Sequence, residues 1–533
     1  MLTILPTDSP QIPLIHIVDE DDIILLNSPD AEWFKILYNF IWQEYRTFGA
    51  EYYDALYEFN KREKQKKQER INKQKDEIVE TKNEAKIRLL FDRTTMKNQE
   101  EEKSNIIYQE EKEELKLPKV NPDSISPGIV PLRLCGKKQK CFFAMFKSFI
   151  GAPMMGFASE PEKVHLLLTS NLSFARACGF APKNEKDGYR HEHTPSLRKL
   201  EQFDQIMKEW GIWDKIKLNT VRTNIKSGII KKENELVGDT THYHAYSGFE
   251  TIKYEDDKGK NKKKSQSKAT KNCRCEDRDK CEHEWILSDE GAGTIVKSNN
   301  KMYWGHKASI IGYPQQGIPL DAVAISDASI HDGKTIYPHL EKLFEELPEI
   351  KSFVDRFLYD SAADEQELKI KLKENFGIEL KASLNPRRKK EITDDLPRGI
   401  KKITPYGVPI CFADYEMDYI GMRYENEKFI YQAPLDSYGS PVCLTCYNKD
   451  NCSPNSLTGR TINISFDLLP HIDPNDPPLA KRFKAIMKRR PSVERMIKRL
   501  KCDLGDDRLT KRGNDSFQAY LDKTMIAFHL LLR

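Results

Sequence analysis

Residues 303–361 read YWGHKASIIGYPQQGIPLDAVAISDASIHDGKTIYPHLEKLFEELPEIKSFVDRFLYDS. The change of rhythm along this stretch decides the fold class. YWGHKASIIGYP (303–314) and IPLDAVAISDAS (318–329) have strand length, β-branched or aromatic residues, and Gly or Pro punctuation. TIYPHLEKLFEEL (335–347) then spaces its apolar residues as a helix does, and SFVDRFLYDS (352–361) returns to strand. Outward from there, ELVGDTTHYHAY (235–246) reads as an earlier strand. ADEQELKIKLKENFG (363–377) reads as a helix with a Gly stop, and IELKASLNP (378–386) as a last strand. Three strands followed by helix, strand, helix and strand predict a mixed sheet covered by helices, an α/β layer structure.

At 533 residues the chain is too long for one ordinary core. Residues 1–125 are expected to be helical and highly charged. Aromatics at helical spacing between Trp33 and Phe59 give way to the mixed-charge NKREKQKKQERINKQKDEIVE, a solvated helix or partly flexible arm. Residues 126–232 read as a second helical unit. In it, VHLLLTSNLSFARACGF ends at a Gly, and TPSLRKLEQFDQIMKEWGIWDKI starts from a Thr cap. The basic residues that follow suit either DNA contact or plain helical packing. The α/β core is expected over 233–385 with a Cys-rich insertion at 250–290. Residues 386–478 form a β-rich insertion, and 479–533 supply closing helices.

A composition of 38% hydrophobic and 32% charged residues is globular, and a formal net charge of +4 does not by itself signal nucleic acid. No apolar run approaches the roughly 18 residues of a membrane span. The N-terminal MLTILPTDSPQIPLIHIVDEDD carries no basic leader, so a soluble cytoplasmic protein is expected.

Charge gathers locally instead. KRRPSVERMIKRLK (488–501) suits a polyanion, yet it holds one carboxylate, Glu494. A phosphate-binding face gains from an acid only when that acid holds something the phosphate also needs, and a divalent metal ion is the obvious candidate. Two-metal phosphoryl chemistry requires carboxylates converging on ions about 4 Å apart, with hard Mg²⁺ taking oxygen ligands. Asp239 within the first strand, Asp360 closing the fourth and Glu494 on the late basic helix meet that description. Each alone has a plainer reading, as a strand Asp or an i,i+4 partner of Arg490 or Lys498. Asp289, Asp332, Asp355 and Asp364 compete, with Asp289 and Asp332 suited to a supporting shell. At 3.6 residues per turn Arg490, Glu494, Lys498 and Lys501 share a face, while Ile486, Val493, Met496 and Leu500 turn to the core. His242, His244 and Tyr246 recur at period 2 and either line the site or pack.

On these residues the chain resembles the DDE transposases of bacterial insertion sequences, in the group with the signature Y-x2-R-x3-E-x6-K. Arg490, Glu494 and Lys501 fall on those spacings, and Met487 stands at the Tyr position. SDEGAGTIVKSNNKMYWGHKASIIGYPQQGIPLDAVAISDASIHD (288–332) is similar to the family's second and third strands. The likeness covers roughly 233–383 and 479–533, and more weakly 160–232. It implies an RNase H-like catalytic domain, Mg²⁺ (or Mn²⁺) held by Asp239, Asp360 and Glu494, and DNA contacts from Arg490, Lys498 and Lys501. The partners implied are transposon-end inverted-repeat DNA and target DNA, engaged by a homodimer at the nucleoid. A decayed or domesticated copy acting as a DNA-binding protein, a related metal-dependent nuclease, and a zinc-stabilised interaction protein are the rival readings.

Eleven cysteines, an odd number, argue for reduced thiols rather than a disulfide framework. Two clusters have spacings that suit tetrahedral Zn²⁺: Cys273, Cys275, Cys281 and His283, then Cys443, Cys446 and Cys452 with His471 as a fourth ligand. Free surface thiols are the alternative for both.

Overall fold

The computed structural model describes residues 27–28, 31–91, 120–127, 139–181, 192–245, 249–255, 261–267, 269–271, 285–287, 289, 291–298, 301–326, 328–385 and 390–533. They divide into two compact units. One holds the described residues up to Ala152 together with Pro161–Ile216, the other Pro153–Glu160 and Lys217–Arg533.

The first unit is helical. Its elements are α1 (Glu32–Tyr38), α2 (Arg46–Phe91), α3 (Phe142–Met154), α4 (Pro161–Ser170), α5 (Leu172–Cys178), α6 (Leu197–Glu209) and the start of α7 (Ile212–Lys226). Rings fill its centre: Tyr45 lies 5.2 Å from Phe146, Phe142 6.0 Å from Phe203, and Phe149 5.8 Å from Trp213. The aromatic segment 33–59 thus shares one core with the helices after residue 141 and does not stand apart from the 126–232 region. Its rings need apolar partners, and the charged half of α2, exposed over residues 61–70, offers none. VHLLLTSNLSFARACGF forms two helices rather than one, because the Asn171 side chain accepts from the Phe174 amide at 2.9 Å and caps α5. The N-cap position of α6 is Ser196, two positions beyond the expected Thr, and its side chain makes no capping bond there.

The second unit is mixed α/β, as the alternation of elements predicts. Its sheet strands are β1 (Glu235–His244), β2 (Gly293–Ser298), β3 (Lys301–Tyr313), β4 (Ile318–Ile325), β5 (Arg356–Tyr359) and β6 (Glu379–Ala382). They lie in the order β4-β3-β1-β5-β6, with β2 also paired to β3. β1, β3 and β4 are antiparallel neighbours, whereas β5 runs parallel to both β1 and β6. α8 (Asp332–Glu346) and α9 (Gln366–Phe376) are the crossovers that the parallel pairs require. Leu236, Ile310, Leu320 and Phe357 from the strands share one core with Ile336 and Leu340 of α8 and Phe517, Met525 and Phe528 of the closing helix.

Between β6 and that helix lies a β-rich insertion with a core of its own. β7 (Ile400–Ile403) pairs with β8 (Pro409–Cys411), and β9 (Asp418–Arg423), β10 (Lys428–Gln432) and β11 (Thr461–Ser465) form an antiparallel sheet. Ile403, Phe429, Tyr431 and Ile464 pack at its centre. Then follow α10 (Lys481–Met487), α11 (Ser492–Lys498) and α12 (Asn514–Leu531).

The core also holds charge. Lys217 of α7, fully buried, lies 2.6 Å from Asp321 of β4 and 3.1 Å from Asp522 of α12. His339 bonds Ser309 at 2.7 Å and stands 3.4 Å from Asp321. Nearby, His529 donates from Nε2 to the Pro319 carbonyl at 2.9 Å. Burial holds its imidazole down to about 3, aided by the Arg533 and Lys217 charges and opposed by the Pro319 carbonyl. A free imidazole titrates near 6.5. Between those values the unfolded chain binds a proton that the folded chain refuses. The stability His529 contributes is therefore complete above about pH 6.5 and drains as pH falls, by up to about 1.4 kcal/mol per unit. His529→Gln should flatten the difference in urea midpoint between pH 7 and pH 5. An unchanged difference would assign that pH dependence to another group.

Among the described residues, no helix is long and apolar enough to cross a membrane.

Candidate active site

Asp239 sits midway along β1, the central strand, opposite Ile310 of β3. Its Oδ1 accepts from the Thr240 amide at 2.8 Å, and its Oδ2 from Arg490 Nη2 at 2.6 Å. Asp360 follows β5 directly and caps a short 3₁₀ turn, accepting from the Ala362 amide at 2.9 Å. Glu494 opens α11 and accepts from Arg490 Nη1 at 2.7 Å. One guanidinium therefore joins the acid of the central strand to the acid of the helix. Burial pushes the Asp239 carboxyl up to about 6; Arg490 and the Thr240 amide oppose the rise, and the charges of Asp360 and Asp332 add to it. Asp239 is thus tied to Glu494 through Arg490 and acted on by the charges of Asp360 and Asp332.

The local sequence explains this convergence. Strand alternation sends Val237 and Asp239 to the same face, where Val237 packs with Leu358, Ile486, Val493 and Met496. Val493 and Met496 are fully buried, each contributing about 1.5–3 kcal/mol to holding α11 on the sheet. Gly312 permits that approach. A Cβ there would stand 2.3 Å from the Ile318 carbonyl oxygen and 2.7 Å from Met496 Sδ. Gly312→Ala is expected to destabilise the fold by about 1–3 kcal/mol through overpacking, read as a lowered thermal midpoint; an unshifted midpoint would show that α11 yields freely.

The basic stretch is not one helix. Pro491 interrupts it, so Arg490 lies in the turn between α10 and α11, and a π-helical turn, Arg499–Asp503, follows α11. The single face expected for Arg490, Glu494, Lys498 and Lys501 is accordingly broken. Arg490 faces the acids, while Lys501 donates to the His242 carbonyl at 2.5 Å and lies over the Tyr243 ring. Lys498 is exposed, together with Lys484, Lys488, Arg495 and Arg499. The apolar positions Ile486, Val493, Met496 and Leu500 are buried, as their spacing predicts.

One contact escaped sequence reasoning, and two residues named there, Asp332 and His242, take defined places. Glu235, nearly fully buried, accepts a two-pronged contact from Arg489 Nε and Nη2, both at 2.6 Å, and a bond from Arg356 at 2.5 Å. Consecutive arginines thus reach the first and fifth residues of β1 and fix the turn across the strand. Asp332, at the start of α8, joins the acids electrostatically. Burial raises its carboxyl, but the Lys307 ammonium at 2.8 Å and the Thr240 hydroxyl hold it below the usual carboxylate range. His242 lies on the opposite strand face from Asp239, close enough to Asp332 to favour its charge. For the Glu235 contact, the only sequence signal was that Arg489 and Arg490 are adjacent.

Among the described residues, no three His, Cys, Asp or Glu side chains are drawn together as a metal-ready set. The donor chemistry nonetheless fits a hard divalent cation: oxygen ligands, one of them a mostly buried carboxylate, with a positive group already lodged between two of them. Cys273, Cys275, Cys281 and His283 lie outside the described residues. Cys443, Cys446 and Cys452 are free thiols in the β-rich insertion, and His471 bonds instead to the Pro405 carbonyl at 3.1 Å. Compared with known proteins, the chain matches no family model, and no curated protein matches it.

Proposed function

We propose that the chain is a DDE transposase, a metal-dependent enzyme that cleaves DNA at transposon ends and joins the freed 3′-hydroxyl to target DNA. The observation that carries the reading is the Arg490 guanidinium shared by Asp239 and Glu494, with Asp360 coupled to Asp239. The strand pattern supports an RNase H-like catalytic unit: three antiparallel strands, then two parallel ones reached through helices. It puts one acid on the central strand and another at the end of its neighbour.

Asp239, Asp360 and Glu494 would hold Mg²⁺ or Mn²⁺. Bound there, the ions supply an activated nucleophile and stabilise charge on the attacking and leaving oxygens. The chain's own residues do the rest. Glu235 anchors Arg489 and so sets the turn that carries Arg490. Arg490 neutralises Asp239 and Glu494 and, were those acids to hold a divalent cation, would be free to bind a DNA phosphate. Lys484, Lys488, Arg495 and Lys498 give the surrounding surface the positive potential that phosphate binding uses. A homodimer follows from the need to pair two DNA ends, and association with the nucleoid from the DNA partners.

The test uses labelled DNA from the ends flanking the gene, with Mg²⁺ or Mn²⁺, comparing the intact chain with Glu494→Gln. Cleavage that vanishes in the variant is the expected result. Binding without cleavage in either protein would favour a DNA-binding role for a decayed copy, the reading that Met487 at the signature's Tyr position favours. Cleavage surviving in Glu494→Gln would mean that another acid completes the site.

A further inference from the structure

We propose that Cys411, Cys443, Cys446 and Cys452 form a structural Zn²⁺ site that staples the loop 433–460 of the β-rich insertion. This assignment is independent of the catalytic reading. All four cysteines line one cavity of about 20 Å³, room for a single small occupant, whereas His471 lines a different one. Cys411 ends β8, Cys443 lies in the 3₁₀ turn Val442–Thr445, Cys446 follows that turn, and Cys452 closes the helical turn Lys449–Cys452. The C-x2-C-x5-C run is thus completed by a strand-end cysteine from elsewhere in the insertion.

Three of the sulfurs already accept hydrogen bonds. The Asn448 amide donates to Cys446 at 3.4 Å, Arg460 Nη1 to Cys452 at 3.5 Å, and the Arg460 backbone to Cys443. A neutral thiol is a weak acceptor, while a metal-bound thiolate depends on such donors to spread its charge. The four sulfurs line the same cavity, and thiolates gathered there would need a counter-cation. Four thiolates on Zn²⁺ leave net negative charge, and Arg460 and Lys449 stand at the cavity wall to offset it.

Polar bonds brace parts of the loop, as where the Asp436 carboxylate accepts from the Tyr438 and Ser440 amides, but apolar packing supports little of it. It joins β10 to β11 with only two short helical turns, and Leu435, Tyr438, Tyr447 and Leu457 along it are exposed. A long connection that buries so few of its apolar side chains is one that a metal clip would stabilise. The thiols are not drawn into a ligating set. Binding therefore requires them to turn inward, each releasing its proton as its sulfur bonds to the ion.

The experiment uses the full chain carrying Cys273→Ser, Cys275→Ser and Cys281→Ser, which silences the other cluster. Zinc is measured after dialysis, and Co²⁺ is titrated as a spectroscopic probe. One equivalent of zinc is expected, lost in Cys411→Ser and kept in His471→Ala, with a thiolate-to-cobalt charge-transfer band of four-sulfur intensity. Should Cys411→Ser fail to fold, Cys411→His keeps a ligand and should retain the ion. The assignment is overturned if the background chain neither carries nor takes up zinc, if Cys411→Ser keeps it, or if the cobalt band reports three sulfurs with loss in His471→Ala.

Discussion

Asp239→Asn is expected to lower single-turnover DNA cleavage by more than the roughly 10–100-fold that removal of an outer-shell partner costs a metal site, with DNA affinity changed far less. The amide keeps the shape of the carboxyl and its bond from the Thr240 amide, but supplies no charge for a cation. Asp332→Asn is the informative comparison. Its carboxylate is held charged by Lys307 at 2.8 Å and couples to Asp239 without sharing Arg490. The expected loss there is about 10–100-fold. If Asp239→Asn kept cleavage within a few-fold of the intact chain, the central strand would not carry the reaction, and the acids around Arg490 would be a structural ion-pair network.

The second large effect concerns stability. Lys217→Met should destabilise the α/β unit by about 3–5 kcal/mol, the range for removing one partner of a buried ion pair. Asp321 and Asp522 both lean on the one ammonium. Burial raises the Asp321 carboxyl, yet Lys217, helped by His339, holds it far below the ordinary range. Without Lys217, Asp321 and Asp522 remain in a dry core as like charges. The urea midpoint of the unit is the readout. The triple change Lys217→Met, Asp321→Leu, Asp522→Leu should recover much of the loss, since apolar replacement of a whole buried network is often neutral. A single change with no effect would mean that water reaches the network.

Much of the α/β layer was legible because its signals are local. Strand runs, the amphipathic α8 and the Gly377 stop of α9 each lie within about a dozen residues. The acids Asp239, Asp360 and Glu494 could be nominated from their positions at strand and helix. What joins them could not, because Arg490 faces Asp239 only after Pro491 ends one helix and begins another. Sequence periodicity assumes an unbroken helix, and the π turn after Lys498 removes Lys501 from the expected face. The Glu235–Arg489 contact and the Lys217 network join residues hundreds of positions apart, for which no spacing rule exists. Cys411 was missed for the same reason: it is close to Cys443, Cys446 and Cys452 only across the strands of the insertion.

The order of these residues along the chain has a consequence for synthesis. Asp239 and Asp360 leave the ribosome well before Glu494, and Asp522 follows later still. Until α12 is released, Lys217 has only Asp321 to meet its charge, and the sheet lacks the helix that covers one of its faces. Chain elongation is slow beside local folding. A growing polypeptide therefore carries Asp239 and Asp360, and an insertion with a core of its own, for seconds before Glu494 is made. The three acids can thus meet only after the whole insertion between Asp360 and Glu494 has been made.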